Sequence, residues 1–329
     1  MSGEFTYKGA GVDIEEAAAL VGDIGELRRQ TEAKRSLMQS FGLFAASYDL
    51  SDYKEPVIVT GCDGVGTKLE LLLEHDQLEI AGKDLVAMSV NDILTTGGDP
   101  LLFLDYVGVG RIDKTKIKRL IAGMADYLAA CDCILAGGET AEMPGIVPDG
   151  MIELSGFCVG AAEKPNLIDP SRIEVGDRLV GYPSDGFHAN GWSLIRKILD
   201  ANPDLIEENE WETFLAPTRL YHDVVAGLRE AQLDVRAMAH NTGGGLPENL
   251  ERLLGEKGAT LEIPRWNLGA VGKVLEFVED SEAIKTFNMG WGWVIVVPAE
   301  EAEKAVAFHE GARVIGEVDT SGTVNVSIV

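Results

Sequence analysis

Gly61-Cys62-Asp63-Gly64-Val65-Gly66-Thr67-Lys68 follows Pro56-Val57-Ile58-Val59-Thr60, an apolar run that reads as a buried strand. Small residues let the backbone turn tightly after it. The turn carries a carboxylate (Asp63), the unshielded amides of Gly61, Gly64 and Gly66, a hydroxyl (Thr67) and an ammonium (Lys68). That set suits a phosphate and the magnesium ion attached to it. It is not a P-loop, because the order is Gly66-Thr67-Lys68 and not Gly-Lys-Ser/Thr. Nor is it a dinucleotide fingerprint, since Gly64-Val65-Gly66 lacks the third glycine. Alone, it could equally be a tight turn with surface charges.

A second stretch repeats the design. Gly137-Gly138-Glu139-Thr140-Ala141-Glu142-Met143-Pro144-Gly145 follows the apolar run Ile134-Leu135-Ala136. Two acid-bearing glycine turns, each closing a strand, read as one polyphosphate site built from two places. Glu139 follows two glycines directly, which favours it over Glu142 as a metal ligand. Asn91-Asp92 interrupts the apolar helix expected from Lys83 to Thr96, which ends at Gly97-Gly98. An acid on a mostly buried helix is costly unless it is paired or binds a cation. Asp63, Asp92 and Glu139 are therefore the candidate metal ligands. Asp63, Gly64, Gly66, Thr67, Lys68 and Gly138 are the candidate nucleotide contacts.

Strand, glycine turn and helix alternate along the chain. Leu101–Val107, Cys133–Ala136 and Ile152–Ala162 read as strands, and Thr115–Ala130 as an amphipathic helix. A helix is expected from about Asp13 to Arg29. Pro165 to Pro170 breaks the pattern and sets a boundary between domains 1–169 and 170–329. The second part restarts with the strand Asp177–Tyr182. Val235–Ala239, Trp293–Val297 and Ala312–Val318 are further strands, with helices over Trp192–Leu199, Leu246–Leu254 and from near Pro298. The fold class is α/β (α+β), with two mixed domains of similar size.

In Ser184-Asp185-Gly186-Phe187-His188-Ala189-Asn190-Gly191, Asn190 is placed to cap the following helix. His188 sits in the turn, which favours a ligand contact or active-site role. No Gly-x-Ser-x-Gly elbow surrounds Ser184, which argues against an acyl-enzyme hydrolase. His240, before Thr242-Gly243-Gly244-Gly245, reads equally as a satisfied strand-end histidine.

The 329 residues suit two domains, and 46% hydrophobic against 7% aromatic residues suits a core of Val, Ile, Leu and Ala. The formal charge of -26, from 54 acidic and 28 basic residues, argues against nucleic acid or anionic membrane as partners. An anionic ligand must find its positive potential locally. The same charge raises adaptation to a salt-rich cytoplasm as a hypothesis beside an ordinary solvated acidic surface. Cys62, Cys131, Cys133 and Cys158 form no Cys-x-x-Cys pair, and no apolar run reaches membrane-spanning length. Met1 to Gly11 lacks a basic-then-apolar pattern, so no signal peptide is expected and the expected location is cytoplasmic.

Asp63-Gly64-Val65-Gly66-Thr67-Lys68, Val90-Asn91-Asp92, Gly137 to Gly145, His188-Ala189-Asn190-Gly191, Thr242-Gly243-Gly244-Gly245 and Phe287-Asn288-Met289-Gly290 occur in that order. As a set they resemble the phosphoribosylformylglycinamidine cyclo-ligase (AIR synthetase) family of purine biosynthesis. Tyr7-Lys8 with Ala10-Gly11-Val12-Asp13 resembles its N-terminal start. The resemblance covers nearly the whole chain. It implies an ATP-dependent ligase that cyclises formylglycinamidine ribonucleotide to aminoimidazole ribonucleotide, releasing ADP and phosphate. It implies magnesium held by Asp63, Asp92 and Glu139, phosphates steadied by Lys68, and His188 moving a proton or stabilising the activated amide, with His188, Lys68 and Asp92 as the catalytic set. It leaves a potassium requirement open. It also implies a homodimer whose N-terminal, ATP-binding domains pair strands into a barrel. The chain departs from the family's pattern at Gly25-Glu26, at Ser40-Phe41-Gly42 and at Trp291. The first two leave open which N-terminal group touches the terminal phosphate, with Arg28, Arg29 or Lys34 as candidate substitutes. Rival readings are a superfamily relative of the thiamine-phosphate or selenophosphate kinase-like kind, the synthetase that makes the ligase's substrate, or a non-catalytic nucleotide-binding assembly protein.

Overall fold

The computed structural model describes residue 22 and residues 24–38 and 45–329. Residues 24–30 are helical. The rest of the helix expected from Asp13, the Tyr7–Asp13 stretch and Ser40-Phe41-Gly42 lie outside the described residues. The chain forms two compact units. One comprises the described residues up to Val65, with Leu69–Ile93 and Gly98–Pro165. The other comprises Gly66–Lys68, Leu94–Gly97 and Asn166–Val329.

The elements of the first unit run β1 (Pro56–Asp63), α1 (Lys68–Glu74, entered from the second unit's Lys68), α2 (Leu78–Thr95), β2 (Asp99–Val109), α3 (Lys114–Ala130), β3 (Ile134–Glu142) and β4 (Ile152–Glu163). The strands make one sheet in the order β1-β4-β2-β3, in which β2 and β3 are parallel and joined through α3. Helix α2 buries Leu85, Val86, Ala87, Val90, Ile93 and Leu94 almost completely, the six apolar positions its sequence pattern picks out. It lies against the sheet where β1 and β4 carry glycine. A Cβ on Gly61 would stand 3.5 Å from Ser89 O, and one on Gly156 would press on Phe103 and Ser89. Asp113 caps α3 by accepting the amides of Thr115 and Lys116, and Ile117, Leu120, Ile121, Met124 and Leu128 form its buried stripe. Glycines Gly82 and Gly123 let α2 and α3 cross closely, since a Cβ on either would overlap backbone of the other helix.

Two sequence expectations change here. Gly137–Glu142 is strand and not a turn, because β2 supplies a full ladder of partners as far as Val109. An extra residue on β3, between the partners of Phe103 and Leu104, sets the register that pairs Asp105 with Gly138. Likewise Asp63 ends β1 and faces Gly156 of β4; the turn starts only at Gly64.

The second unit contains β5 (Arg178–Pro183), α4 (Trp192–Ala201), α5 (His222–Glu230), β6 (Ala237–His240), α6 (Gly245–Leu254), β7 (Gly258–Ile263), β8 (Trp291–Val297), β9 (Arg313–Asp319) and β10 (Val324–Ile328). Its sheet has the order β10-β7-β9-β5-β8-β6. Strand β8 is buried along its whole length, and Trp291 packs over Gly181 of β5. Asn190 does not cap α4. The cap is Gly191, with φ 81° and no side-chain bond, because a side chain there would run into the Phe287 ring.

Candidate functional site

In the first unit the sheet lays out one row of residues, Asp63, Gly156, Asp105 and Gly138, paired in turn across β1, β4, β2 and β3. Asp63 is half-buried, and its Oδ1 accepts the Gly64 amide at 2.7 Å. Asp92, on the sheet-facing side of α2, stands beside β1: its Cβ is 3.7 Å from where a Gly61 side chain would begin. Asp63 is two residues on from Gly61, on the same face of the strand. These two carboxylates are therefore brought to one neighbourhood. Glu139 is exposed on β3, three strands from β1, which is about 14 Å at ordinary strand spacing. Among the described residues no group of three or more His, Cys, Asp or Glu side chains gathers closely enough to hold a metal ion. Glu142 accepts the Ile112 amide at 2.7 Å, a structural bond at the end of the sheet.

Asp105 is the acid that the sequence reading passed over. It is buried, and its carboxyl leans over Gly138, where a side chain would overlap it. Gly138 thus makes room for Asp105. Burial, with the charge of Glu139 adding to it, raises the Asp105 carboxyl to about 7. Its signal was present in the chain: an acid inside the apolar run Leu101–Val107 is as anomalous as Asp92 inside its helix.

In the second unit, three of the motifs meet. Gly66, with φ 65°, lies against Ala189 O, and Thr67 Oγ1 is 3.1 Å from Ser193 Oγ. Lys68 is fully buried. Its Nζ donates to Ala216 O at 2.8 Å and lies over the Trp192 ring, 5.5 Å from the centroid. Asn190 Oδ1 faces Gly243, while its Nδ2 is buried without a hydrogen-bond partner among the described residues. The loops are tied by three buried asparagines. Asn241 donates to Asn288 O and Trp291 O, Asn288 donates to Gly186 O and accepts from Ser184 and Gly290, and Asn249 donates to the carbonyls of Thr242, Gly243 and Gly245. Phe287-Asn288-Met289-Gly290 serves here as scaffold for the His188 turn.

His188 is 1% exposed, and its φ of 58° is a left-handed conformation that costs a non-glycine residue energy. Its Nε2 accepts the Arg219 amide at 3.3 Å, which leaves the proton on Nδ1, and Nδ1 is buried with no partner among the described residues. Burial first, then the charges of His240, Lys68 and Arg219, pull its pKa well below the usual histidine range. The ring is neutral at pH 7. Gly292 lies directly under it, where a side chain would overlap both His188 and the Tyr221 hydroxyl. Arg219 is drawn toward Asp185 (3.7 Å) and Asp223 (3.8 Å) and lies over the Tyr221 ring. Gly292, Arg219, Tyr221 and Asn249 were not singled out from the sequence. Their roles depend on contacts between distant segments that no local pattern encodes. His240 ends β6 beside the Trp293 ring.

The AIR synthase related protein N-terminal domain model matches residues 45–162, and the C-terminal domain model matches residues 174–329. The phosphoribosylformylglycinamidine cyclo-ligase of Cupriavidus metallidurans is 43% identical over 327 residues, covering 95% of this chain and 93% of that protein. That of Desulfitobacterium hafniense is 42% identical over 333 residues, covering 95% and 96%. Among solved structures, thiamine-monophosphate kinase from Stenotrophomonas maltophilia superposes with a TM-score of 0.68 at 16% identity, covering 92% of this chain and 94% of that one. The hydrogenase maturation protein HypE in complex with ATP gives 0.68 at 17% identity, covering 95% and 91%. At such identities the structural likeness concerns the fold.

Proposed function

The chain belongs to the phosphoribosylformylglycinamidine cyclo-ligase (AIR synthetase) family, and from that premise we propose that it cyclises formylglycinamidine ribonucleotide to aminoimidazole ribonucleotide at the expense of ATP. The observation that carries this reading is 43% identity sustained over 95% of the chain, across both units. In the reaction the terminal phosphoryl group of ATP passes to the formyl amide oxygen, breaking its bond to ADP. The substrate nitrogen attacks that carbon, the ring C–N bond forms, and phosphate leaves with the oxygen.

Magnesium bound to the nucleotide would neutralise the charge that develops on the phosphoryl oxygens. The donor set suits that ion. Magnesium takes one or two carboxylates and completes its shell with water and substrate phosphate, so no three-carboxylate cage is required. Asp63 and Asp92 are the pair for it. Glu139, three strands away, would serve a separate cation. Gly64, Gly66 and Thr67 offer backbone and hydroxyl groups to phosphate. Lys68, whose ammonium is held by Ala216 O, would act from its buried position as a fixed positive charge. His188, neutral and buried against Gly292, would reach the amide oxygen that becomes phosphorylated only on opening of its turn, and in the closed turn it would act by holding the loop in place.

The same reading makes residues 1–169 the nucleotide-binding and dimerisation domain and 170–329 the second α/β domain. The homodimer draws support from the sheet face turned away from α2. Ile58 and Phe157 are 51% and 45% exposed there, and Cys62, Phe157 and Leu104 line up in one cross-strand row. A contiguous apolar face of this kind fits a second copy of the same sheet. Among the described residues no helix is long and apolar enough to cross a membrane, and we place the enzyme in the cytoplasm. The deciding experiment supplies ATP, magnesium and formylglycinamidine ribonucleotide and measures ADP, phosphate and the aminoimidazole product. Turnover of thiamine phosphate or selenide in its place, with no ring closure, would overturn the assignment. Adding potassium in a separate arm decides that requirement.

A further inference from the structure

A cavity of about 440 Å³ opens in the first unit, where β2 ends and α3 begins, and residues 149–152 also line it. Arg111 and Lys116 both line it. Several neighbouring cations are tied to acids. One turn along the same helix Arg119 is held by Asp76 and Glu79, and Lys83 by Asp126. Arg111 and Lys116 make no ion pair among the described residues, although Asp113 and Asp149 line the same cavity. Asp113 instead directs Oδ1 to the amides of Thr115 and Lys116. Asp113 and Asp149 balance these two cations in formal charge, so any attraction for an anion comes from directed donors and not from a net positive potential. A guanidinium offers a fork to two phosphate oxygens and an ammonium adds a point charge. Val109 and Met151 supply apolar wall for a sugar face. The cavity also lies at the carboxyl end of a parallel strand pair, where open α/β sheets receive ligands.

We infer that this cavity holds the 5′-phosphate of the ribonucleotide substrate, with Arg111 and Lys116 as its counter-charges. The identity of the phosphate-bearing compound rests on the ligase reading; the preference for a phosphomonoester rests on the cavity.

The test titrates ribose 5-phosphate, and ribose as its uncharged control, into the full chain by calorimetry up to millimolar concentration. Arg111→Ala, Arg111→Lys, Lys116→Ala and the double alanine variant are compared after thermal melts establish that each folds like the parent. Ribose 5-phosphate is expected to bind the parent and ribose not. Each single alanine should weaken binding about tenfold or more, Arg111→Lys should keep part of it, and the double variant should lose about a hundredfold or more. In turnover assays the KM for formylglycinamidine ribonucleotide should rise in parallel, with the KM for ATP changed less than about twofold. Ribose 5-phosphate failing to bind the parent, or binding the double variant as well as the parent, overturns the inference. So does a rise in the KM for ATP alone, which would give the cavity to the nucleotide. If the parent turns over no formylglycinamidine ribonucleotide while ribose 5-phosphate binding still depends on Arg111 and Lys116, the phosphate site stands and the ligase reading falls.

Discussion

Asp105 in the first unit and His188 in the second are sealed from water to a similar degree, and burial drives both toward the neutral form, one by raising its pKa and the other by lowering it. Their surroundings differ. Around Asp105 the sheet keeps other carboxylates within reach of solvent, so the first unit remains an electronegative surface ready for cations. Around His188 three asparagines, a tyrosine and a tryptophan close the turn, and the imidazole becomes a fixed donor. The first unit is thus suited to recruiting charge, and the second to holding one neutral group in a strained, defined orientation.

The largest effect should come from removing the charge-recruiting carboxylates. Asp92→Ala or Asp63→Ala should lower kcat/KM about 100-fold or more, with a melting temperature close to that of the parent, since like-charged carboxylates repel one another when no cation is bound. Raising magnesium should recover part of the loss in Asp92→Asn. Near-parental turnover of either alanine variant at low magnesium would remove that residue from the metal site. Glu139→Ala sharpens the point: if Glu139 serves a separate cation, the magnesium dependence of this variant should differ from that of Asp92→Ala.

The closed turn predicts a fold effect instead. Gly292→Ala places a methyl group into both His188 and the Tyr221 hydroxyl near the start of β8. Overpacking of this kind costs about 1–3 kcal/mol, read by urea or thermal melts. Full stability in this variant would show that the pocket around His188 is looser than described, and the contrast between the units would weaken accordingly.

Much of this organisation was legible beforehand. Helices α2 and α3 carry apolar stripes strong enough to fix their buried faces, and the acid in α2 announced itself by its cost. The error over Gly137–Glu142 has a definite cause. Glycine pairs signal turns when read locally, but here β2 supplies ladder partners and Asp105 needs the space above Gly138. Asn190 failed as a cap for a similar reason, because Phe287, about a hundred residues away in sequence, allows only glycine at the cap position. Strands β7 and β10 were missed although β7 alternates buried and exposed residues over Ala259–Ile263, a period-2 signal short enough to be overlooked.

A smaller effect concerns Asp105 alone. Its native pKa of about 7 lies above the ordinary carboxylate value near 4 of the unfolded chain. Below about pH 4 both states are protonated and nothing is lost. As pH rises toward 7 the unfolded chain ionises while the native carboxyl does not, so stability declines and then levels off. Asp105→Asn, compared with the parent in metal-free buffer, should gain on the order of 1–2 kcal/mol at pH 8 and nothing at pH 4. An equal effect at both pH values would mean that packing, and not ionisation, governs the site.

His188 supplies the mirror image and the smallest expected change. Its native pKa is depressed below the unfolded value near 6.5. Above that value both states are neutral and the residue leaves no pH dependence. Below it the unfolded chain takes up a proton that the sealed ring refuses, so stability falls as the solution is acidified, by at most about 1.4 kcal/mol per pH unit for one proton. His188→Gln should flatten this acid limb between about pH 6.5 and 5 while leaving the alkaline plateau parallel to that of the parent. The outcome separates two ways of being neutral. If the limb persists unchanged in the glutamine variant, the ring is protonated in the native state, its Nδ1 proton is no longer the single donor, and the distinction drawn between the two units loses its second half.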